Sequence, residues 1–296
     1  MSVKDREAVL AFLAQNAVTQ PLGMAEQRAR LDGLAVFFPL HDGTEVEAAQ
    51  INGVKGEWVR ARRAHSDAAL LYLHGGGYVM GSPASHRHLA AAISEMSMLS
   101  VFVPDYRLAP EHPFPAALED AVAAYEGLLS SGLAADRVAI AGDSAGGGLT
   151  IATLAALRDR KIALPAAAAA ISPWTDLSLG EASHRTRAAR DPMVTAEDLG
   201  KMAADYLAGV DPKTPLASPH FADLTGLPPL LIQVGTEEVL YDDAVALASR
   251  AEAAGVEVSV EYWGGMMHVW HIFHPMLAEG RDAVAHLGAY LRRHIE

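Results

Sequence analysis

The chain has 296 residues, a length that a single α/β domain with an insertion can reach. Hydrophobic residues make up 51% and charged residues 20%, which excludes the composition of a disordered chain. The formal net charge of −13 disfavours nucleic acids and anionic membrane surfaces as partners, because both are bound by clustered Lys and Arg.

Missing residue types and segments exclude several further classes of protein. The chain contains no cysteine, which excludes a disulfide framework, a thiolate metal site and a cysteine nucleophile. The N-terminal sequence MSVKDREAVLAFLAQ carries charges where a secretory signal has its apolar core, so we expect a cytoplasmic protein. The most apolar stretch, residues 163–171, is far shorter than the roughly 20 residues that span a bilayer, so we expect no membrane span.

The first predicted elements are a helical segment and a hairpin. The helical pattern ends near Leu31, and two alternating segments follow it, Val46–Ile51 and Gly56–Arg63. Between them lie Asn52 and Gly53, a pair typical of two-residue hairpin turns. We therefore expect an antiparallel hairpin at one edge of a sheet and a domain boundary near residue 45.

From residue 69 onward, short apolar runs alternate with helix-length segments. The apolar runs are typical of strands buried on both faces: Ala69–Leu73, Ser100–Val103, Arg137–Ala141, Ala166–Ile171, Leu230–Val234 and Val256–Tyr262. The helical segments are Ser85–Met96, Pro115–Ser130, Gly146–Arg160, Asp242–Ala254 and Pro275–His294. This alternation predicts an α/β protein whose mostly parallel central sheet has helices on both faces.

Two regions do not fit the sheet pattern, and we expect them to form a helical cap. They are the N-terminal segment, 1–45, and a charged, proline-containing stretch, 176–219. The predicted organisation is thus an N-terminal cap segment followed by an α/β domain, 46–296, that carries 176–219 as a cap insertion.

A candidate nucleophile follows the third buried strand. Residues 142–146 read GDSAG between a predicted strand and a predicted helix. A GxSxG sequence in this context forms a nucleophile elbow, whose sharp turn exposes the serine. We expect Ser144 to be the nucleophile and Ala145, at the helix N-terminus, to donate its N–H to an oxyanion. The alternative is that Ser144 only caps the helix.

A second glycine-rich segment follows the first buried strand. Residues 69–78 read ALLYLHGGGY, and an HGGG segment after this strand supplies oxyanion donors in lipases and esterases. We expect Gly76 and Gly77 to be these donors and His74 to form structural hydrogen bonds. The alternative is a phosphate-binding loop, which is disfavoured because GxGxxG does not match residues 75–80 and no Lys follows.

An activated serine needs a histidine base and a carboxylate that orients the histidine, and this fold places them in the order serine, acid, histidine. Residues 230–243 read LLIQVGTEEVLYDD, a buried strand followed by four carboxylates. Glu238 is our candidate acid because it lies just beyond the strand end. Glu237, Asp242 and Asp243 compete with it, although the last two have the positions of first-turn helix residues.

The candidate base is His268, the first histidine after the next strand, in VEVSVEYWGGMMH at 256–268. Thirteen histidines are present, but only those that follow the acid fit the chain order. The competitors of His268 are His271, His274, His286 and His294, and the last two lie in the final predicted helix.

With these residues identified, the sequence resembles the bacterial hormone-sensitive lipase family of esterases, which has the α/β-hydrolase fold. HGGGY at 74–78 and GDSAGG at 142–147 resemble the family's oxyanion and nucleophile motifs. The segment DYRLAPEHPFPAALED at 105–120 is similar to the one that the family carries between them. The resemblance covers the chain from about residue 45 onward. Glu238 stands where the family usually has Asp, and HisValTrp at 268–270 replaces the more usual HisGlyPhe.

The resemblance implies hydrolysis of short-chain acyl esters by Ser144, Glu238 and His268, without a metal or an organic cofactor. It also implies a cap that includes the N-terminal helices, and dimers are common in the family, which suggests a homodimer. The side chains that we expect around a small-molecule ester are Tyr78, Asp143, Trp174, Leu240 and Met267.

Two alternative functions use the same fold. An amidase or peptidase would need the same three residues. A non-catalytic binder of small molecules would need the pocket without His268, so the presence of all three candidates argues against it. The fold alone does not decide between them.

Overall fold

The computed structural model describes residues 3–18, 20 and 22–295. Met1, Ser2, Thr19 and Pro21 of the predicted N-terminal segment lie outside these residues, as does Glu296. The strands of the described chain are β1 (Glu45–Ile51), β2 (Val54–Arg60), β3 (His65–Leu73), β4 (Leu99–Pro104), β5 (Val138–Asp143), β6 (Ala167–Ile171), β7 (Leu230–Gly235) and β8 (Val258–Trp263).

These strands form one mixed sheet in the order β1-β2-β4-β3-β5-β6-β7-β8. Strand β2 is antiparallel to both β1 and β4, and the remaining neighbours are parallel. Strands β4 to β7 are buried at every residue, which explains why their sequences are continuous apolar runs. The predicted α/β class with a mostly parallel sheet is confirmed.

The predicted edge hairpin is also present, with different bounds for its second strand. Asn52 and Gly53 turn with φ of 45° and 85°, a two-residue turn with both φ values positive. Pairing therefore resumes at Val54, opposite Ile51. The strand ends at Arg60 rather than at Arg63, since the N–H of Ala61 donates to Ser94 Oγ, 2.9 Å away.

The helices pack on both faces of the sheet. In the described chain they are α1 (Val3–Gln15), α2 (Met24–Leu34), α3 (Pro83–Ser97), α4 (Ala116–Ser130), α5 (Ala145–Asp159), α6 (Ser183–Thr186), α7 (Ala196–Leu207), α8 (Tyr241–Ala253) and α9 (Ala278–Ile295). Short 3-10 helices cover Ala35–Phe37, Ala135–Arg137, Pro219–Phe221 and Trp270–Phe273. Within the residues that the structure describes, no helix is long and apolar enough to cross a membrane.

The apolar core has a layer on each side of the sheet. Leu71 and Leu73 of β3 belong to one buried cluster, and Leu70 and Tyr72 belong to another. Because successive side chains of a strand point to opposite faces, the two clusters lie on opposite sides. Helices α4, α5 and α8 contribute Leu118, Leu149 and Leu247 to the first cluster, and α3 and α9 contribute Leu89 and Leu287 to the second.

The two regions predicted to form a cap each contact the loop that follows β3. From α2, Arg28 donates to the carbonyl oxygen of Val79 at 2.8 Å. From α7, the ring of Tyr206 stacks on Tyr78, with centroids 3.8 Å apart. The N-terminal region is also more segmented than the single helical pattern suggested, because α1 and α2 are separate helices.

Candidate active site

The predicted nucleophile lies in the sharp turn between β5 and α5. Ser144 has φ of 55° and ψ of −121°, a backbone conformation that costs a non-glycine residue about 1–3 kcal/mol. Three backbone hydrogen bonds hold it there: its N–H donates to the carbonyl oxygen of Ile171 at 2.8 Å, and its carbonyl oxygen accepts from the N–H groups of Trp174 at 2.9 Å and Gly148 at 3.1 Å. A Cβ on Gly146 would lie only 2.6 Å from the carbonyl oxygen of His74, so the glycine lets α5 approach β3.

Three residues from distant parts of the chain form a hydrogen-bonded row. The Nε2 atom of His268 lies 2.9 Å from Ser144 Oγ, and its Nδ1 atom lies 3.0 Å from Glu238 Oε2. All three are buried, with exposed fractions of 8% for Ser144, 4% for His268 and 0% for Glu238. The structure therefore brings the three predicted residues together in the order that proton transfer from a serine requires.

The second oxygen of Glu238 has its own partners. The Oε1 atom accepts from the hydroxyl of Ser172 at 2.7 Å and from the N–H of Gly235 at 2.6 Å. The hydroxyl of Ser172 also accepts from the N–H of Val269 at 3.2 Å. Sequence reasoning missed Ser172. One available signal was the position of Ser172 directly after β6, since β6 lies between β5, which precedes Ser144, and β7, which precedes Glu238.

The electrostatics of the row favour a positive charge on the histidine. Burial lowers the pKa of His268, but the hydrogen bond and the negative charge of Glu238 outweigh burial and raise that pKa overall. Burial raises the pKa of Glu238, and its contact with His268 only partly offsets this rise. A carboxylate at this distance stabilises the imidazolium that forms when the histidine takes a proton.

The competing carboxylates bind other groups. Glu237, Asp242 and Asp243 make no hydrogen bond to His268 within the described chain. Instead, Asp242 accepts from the N–H of Ser183 at 2.8 Å, Asp243 accepts from the N–H of Thr175 at 3.0 Å, and Glu237 lies 3.9 Å from Arg190.

The competing histidines are likewise engaged away from Ser144. The partner atoms are Gln233 Oε1 at 2.8 Å for His271, Glu261 Oε1 at 3.3 Å for His286, and the carbonyl oxygen of Tyr290 at 2.9 Å for His294. The ring of His274 stacks on that of His88, with centroids 5.8 Å apart.

The glycines after β3 form a tight turn next to the serine elbow, since a Cβ on Gly75 would lie 3.1 Å from the carbonyl oxygen of Asp143, the residue before Ser144. The φ angles of Gly76 and Gly77 are 116° and 63°, in the region that favours glycine. The carbonyl oxygen of Gly76 accepts from the N–H groups of Val79 at 3.1 Å and Met80 at 3.0 Å. No described residue accepts a hydrogen bond from the N–H of Gly76, Gly77 or Ala145, and Ala145 is the first residue of α5. These three donors are therefore unpaired by the described chain, as donors to an oxyanion must be.

Asp143, which we expected at the substrate, has both carboxylate oxygens engaged by protein groups. Its Oδ1 atom accepts from the hydroxyl of Tyr72 at 2.8 Å and from the N–H of Gly75 at 3.1 Å. Its Oδ2 atom lies 3.4 Å from His86 Nε2. Burial raises the pKa of Asp143, but the charge and hydrogen bond of His86 and the hydroxyl of Tyr72 outweigh burial and lower it overall. The carboxylate thus holds the start of the glycine turn.

His74 behaves as the sequence predicted. Its Nδ1 atom lies 2.8 Å from the carbonyl oxygen of Gly75, and its ring stacks on Tyr106 with centroids 4.1 Å apart. Burial lowers the pKa of His74 to about 3, so the ring is neutral at physiological pH and serves as a hydrogen-bonding support.

The four other predicted substrate contacts are buried side chains: Tyr78, Trp174, Leu240 and Met267. Trp174 donates its indole N–H to the carbonyl oxygen of Asp176 at 3.1 Å, and Met267 directly precedes His268. Their contact with a substrate stays a prediction. Among the described residues, no group of three or more His, Asp or Glu side chains could hold a metal ion.

Comparison with known proteins gives a consistent set of relatives. A family model described as the alpha/beta hydrolase fold matches residues 70–272. An acetyl-hydrolase of Streptomyces hygroscopicus is 57% identical over 236 residues, which cover 80% of this chain and 79% of that protein. An esterase of Acinetobacter venetianus is 33% identical over 89% of this chain and 87% of that protein. A crystal structure of an esterase from the bacterial hormone-sensitive lipase family is 45% identical, with a TM-score of 0.98 over 100% of both chains.

The fold and these relatives define a carboxylic ester hydrolase of the serine type. The chain belongs to the alpha/beta hydrolase fold family, among the esterases of the bacterial hormone-sensitive lipase family. The resemblance seen in the sequence motifs is therefore confirmed.

Proposed function

We propose that this protein hydrolyses short-chain acyl esters through a covalent acyl-enzyme on Ser144. His268 takes the proton of the Ser144 hydroxyl as the oxygen attacks the ester carbonyl, and the N–H groups of Gly76, Gly77 and Ala145 bind the resulting oxyanion. His268 then protonates the departing alcohol. Water, activated by the same histidine, attacks the acyl-enzyme and releases the acid.

One observation carries this proposal: the 2.9 Å contact of His268 Nε2 with Ser144 Oγ in a row that ends on the buried Glu238. A serine hydroxyl becomes a nucleophile only when a base takes its proton. Two of the relatives also support an ester substrate, since one is named an acetyl-hydrolase and another an esterase. The first of these names favours a small acyl group.

We also propose that Asp143 supports the oxyanion turn and does not contact substrate. Both of its oxygens already accept hydrogen bonds or face His86. Tyr78, Trp174, Leu240 and Met267 remain our candidates for the pocket walls because they are apolar or aromatic. Tyr78 follows the oxyanion glycines, the N–H of Trp174 donates to the carbonyl oxygen of Ser144, and Leu240 and Met267 lie within two residues of Glu238 and His268.

We further propose that residues 1–45 and 176–219 form a cap over a catalytic domain, 46–296. Arg28 and Tyr206 of these regions contact Val79 and Tyr78 in the loop beside Ser144. Met202 of α7 also lies against Gly77, since its Cγ is 3.0 Å from where a Cβ on that glycine would be. Met202→Ala should therefore extend the accepted acyl chain, and an unchanged chain-length profile would contradict this role of α7.

Assembly and compartment are open to direct tests. We propose a homodimer, because dimers are common in this family and the outer strand β8 leaves Tyr262 half exposed. Light scattering coupled to size-exclusion chromatography gives the mass, and a monomer at micromolar concentration would contradict the proposal. We propose the cytoplasm as the compartment, which cell fractionation checks.

The experiment for the reaction uses nitrophenyl esters with acyl chains of two to sixteen carbons. Ser144→Ala and His268→Ala should abolish cleavage, and Glu238→Ala should strongly reduce it. The matched controls are His286→Ala and Glu237→Ala, whose side chains lie outside the row. Fast cleavage of short chains by the wild type, with controls unaffected, supports the esterase. Folded wild-type protein that cleaves no ester overturns it, and cleavage of anilides alone would indicate an amidase.

A further inference from the structure

The backbone of Val239, the residue that follows Glu238, is hydrogen-bonded through its N–H and through its carbonyl oxygen to residues of the 176–219 segment. The N–H of Val239 donates to Asp191 Oδ2 at 3.0 Å. The carbonyl oxygen of Val239 accepts from the hydroxyl of Ser183 at 2.6 Å. Both partners are distant from Val239 in sequence, so the position of this backbone depends on how the segment packs.

Asp191 is built into its place. It is only 7% exposed, and its other oxygen, Oδ1, accepts from the N–H groups of Met193 at 2.9 Å and Val194 at 3.4 Å. These bonds form a local turn that orients the carboxylate toward Val239. A buried carboxylate with backbone donors on both oxygens has a fixed direction.

Ser183 makes the second hydrogen bond to the backbone of Val239, and we call Asp191 and Ser183 together the clamp. Its side chain is fully buried, and its hydroxyl also accepts from the N–H of Asp242 at 3.1 Å. Its own N–H donates to Asp242 Oδ2 at 2.8 Å. The segment and the chain that follows Glu238 are therefore cross-linked by hydrogen bonds at Val239 and, reciprocally, at Asp242.

We propose that Asp191 and Ser183 are positioning residues for the catalytic acid, through which the 176–219 segment sets the place of the Glu238 carboxylate. This inference rests on the proposed ester hydrolysis. Neither residue contacts the serine or the substrate. Each acts through the backbone of Val239, and loss of either loosens the contact between Glu238 and His268.

The charge of Asp191 has a second effect on the row. The ionisable groups that face His268 are Glu238 from the loop after β7, Asp191 from the segment, Asp143 from β5 and His271 from the adjacent 3-10 helix. The three carboxylates favour the protonated ring. Removing the charge of Asp191 should therefore let His268 lose its proton at lower pH, whereas removing the hydroxyl of Ser183 changes no charge.

The test compares Asp191→Asn, Ser183→Ala and Ser183→Thr with a matched control, Asp211→Asn. Asp211 lies in the same segment and its Oδ1 accepts from the N–H of Lys213 at 2.9 Å. Asp191 likewise accepts from the N–H of the residue two positions later, Met193. Unlike Asp191, however, Asp211 is exposed. We expect kcat for a short nitrophenyl ester to fall about tenfold in Asp191→Asn and Ser183→Ala with KM unchanged. Ser183→Thr should restore most of kcat, and Asp211→Asn should match the wild type.

The pH profile separates positioning from a merely structural role. The acidic limb of kcat/KM should move to lower pH in Asp191→Asn and stay in place in Ser183→Ala. Wild-type kcat and an unmoved limb in Asp191→Asn overturn the role of Asp191. If that variant does not fold, equal activity of Ser183→Ala and Ser183→Thr overturns the clamp. Absence of ester cleavage by the wild type would instead overturn the proposed function itself.

Discussion

The hydroxyl of Ser172 donates a hydrogen bond to Glu238 Oε1, with 2.7 Å between the two oxygens, and Glu238 Oε2 faces His268. The orientation of the acid is thus set by a serine that follows a different strand. A hydrogen bond to a charged group is worth about 1.5–3 kcal/mol, and each 1.4 kcal/mol lost from the transition state is about tenfold in rate.

Ser172→Ala should therefore lower kcat about tenfold or more while KM stays near the wild-type value, because the bond orients the acid and does not touch substrate. Steady-state kinetics on a two-carbon nitrophenyl ester measures this. The control is Ser131→Ala, which removes an exposed hydroxyl that donates to Leu128. Equal kcat in both variants would show that Gly235 alone orients Glu238.

Glu238→Asp should be a poor enzyme although Asp is the more usual residue in this family. The backbone here places a glutamate so that one oxygen reaches His268 and the other reaches Ser172 and Gly235. An aspartate is one methylene shorter and cannot keep both sets of contacts, so kcat should fall about 10- to 100-fold. Glu237→Asp is the control. A wild-type rate in Glu238→Asp would mean that the loop moves to follow the shorter side chain.

Gly76→Ala should remove most of the activity. At φ of 116° an added Cβ would lie 2.6 Å from the carbonyl carbon of Met80, so the turn that carries the oxyanion donors must shift. Loss of one such donor costs about 10²–10³ in kcat. Gly132→Ala is a matched control, since Gly132 has φ of 104° and open space around its Cβ position. It should lower the melting temperature and leave kcat intact, and similar kcat in both variants would contradict the role of the turn.

The pH dependence of activity follows from the raised pKa of His268. The base must be neutral to accept the serine proton, so the acidic limb of kcat/KM should lie above the ordinary histidine value of about 6.5. Glu238→Gln removes the charge that raises this pKa, and the limb should then move to lower pH. A wild-type limb below the ordinary value would contradict the assignment.

Stability should fall as the pH is lowered below about 6.5. Burial lowers the pKa of His74, His88 and His271 to about 3 and that of His274 to about 4. Below the ordinary histidine pKa of about 6.5, these histidines bind protons in the unfolded chain but stay neutral in the folded protein. Each of them therefore reduces the free energy of unfolding by up to about 1.4 kcal/mol for every pH unit that the pH is lowered.

Urea denaturation at a series of pH values from about 7.5 down to about 4 measures this loss, which begins near the unfolded-state value of about 6.5 and continues down to the folded-state pKa values of about 3 to 4. His88→Gln should flatten the dependence, while His286→Gln, at an exposed histidine, should leave it unchanged. Identical slopes in both variants would contradict the assignment to buried neutral rings.

Much of the fold could be predicted because each central strand is buried on both faces. Such strands are uniformly apolar, and the segments between them are long enough to form helices that connect parallel strands. The order of strands and helices could therefore be predicted from the sequence. The start of β3 was missed, since His65 to Asp67 are polar and exposed although they belong to the strand. Polar side chains at the solvent-exposed end of a strand stay hydrated, so their exposure costs no desolvation free energy. The apolar pattern that marks the buried part of the strand therefore does not extend to them.

The sequence predicts those residues of the site whose chemistry requires particular residue types at a fixed local spacing. GDSAG and HGGG each lie within a few residues of a strand end, and their glycines are needed by local backbone geometry. Sequence reasoning missed Ser172, Asp191 and Ser183, because each acts on the site by hydrogen bonding to a residue more than forty positions away.

The sequence by itself determined the order of strands and helices, the two glycine turns and the candidate serine, acid and histidine. It did so because apolar periodicity and sharp backbone turns are local properties. Only the tertiary structure decided which of five histidines contacts Ser144, which of four carboxylates contacts that histidine, and which residues orient the acid. Those choices depend on where the parallel strands β5, β6, β7 and β8 bring their ends together, and a distance across a sheet is not encoded in any one segment of the chain.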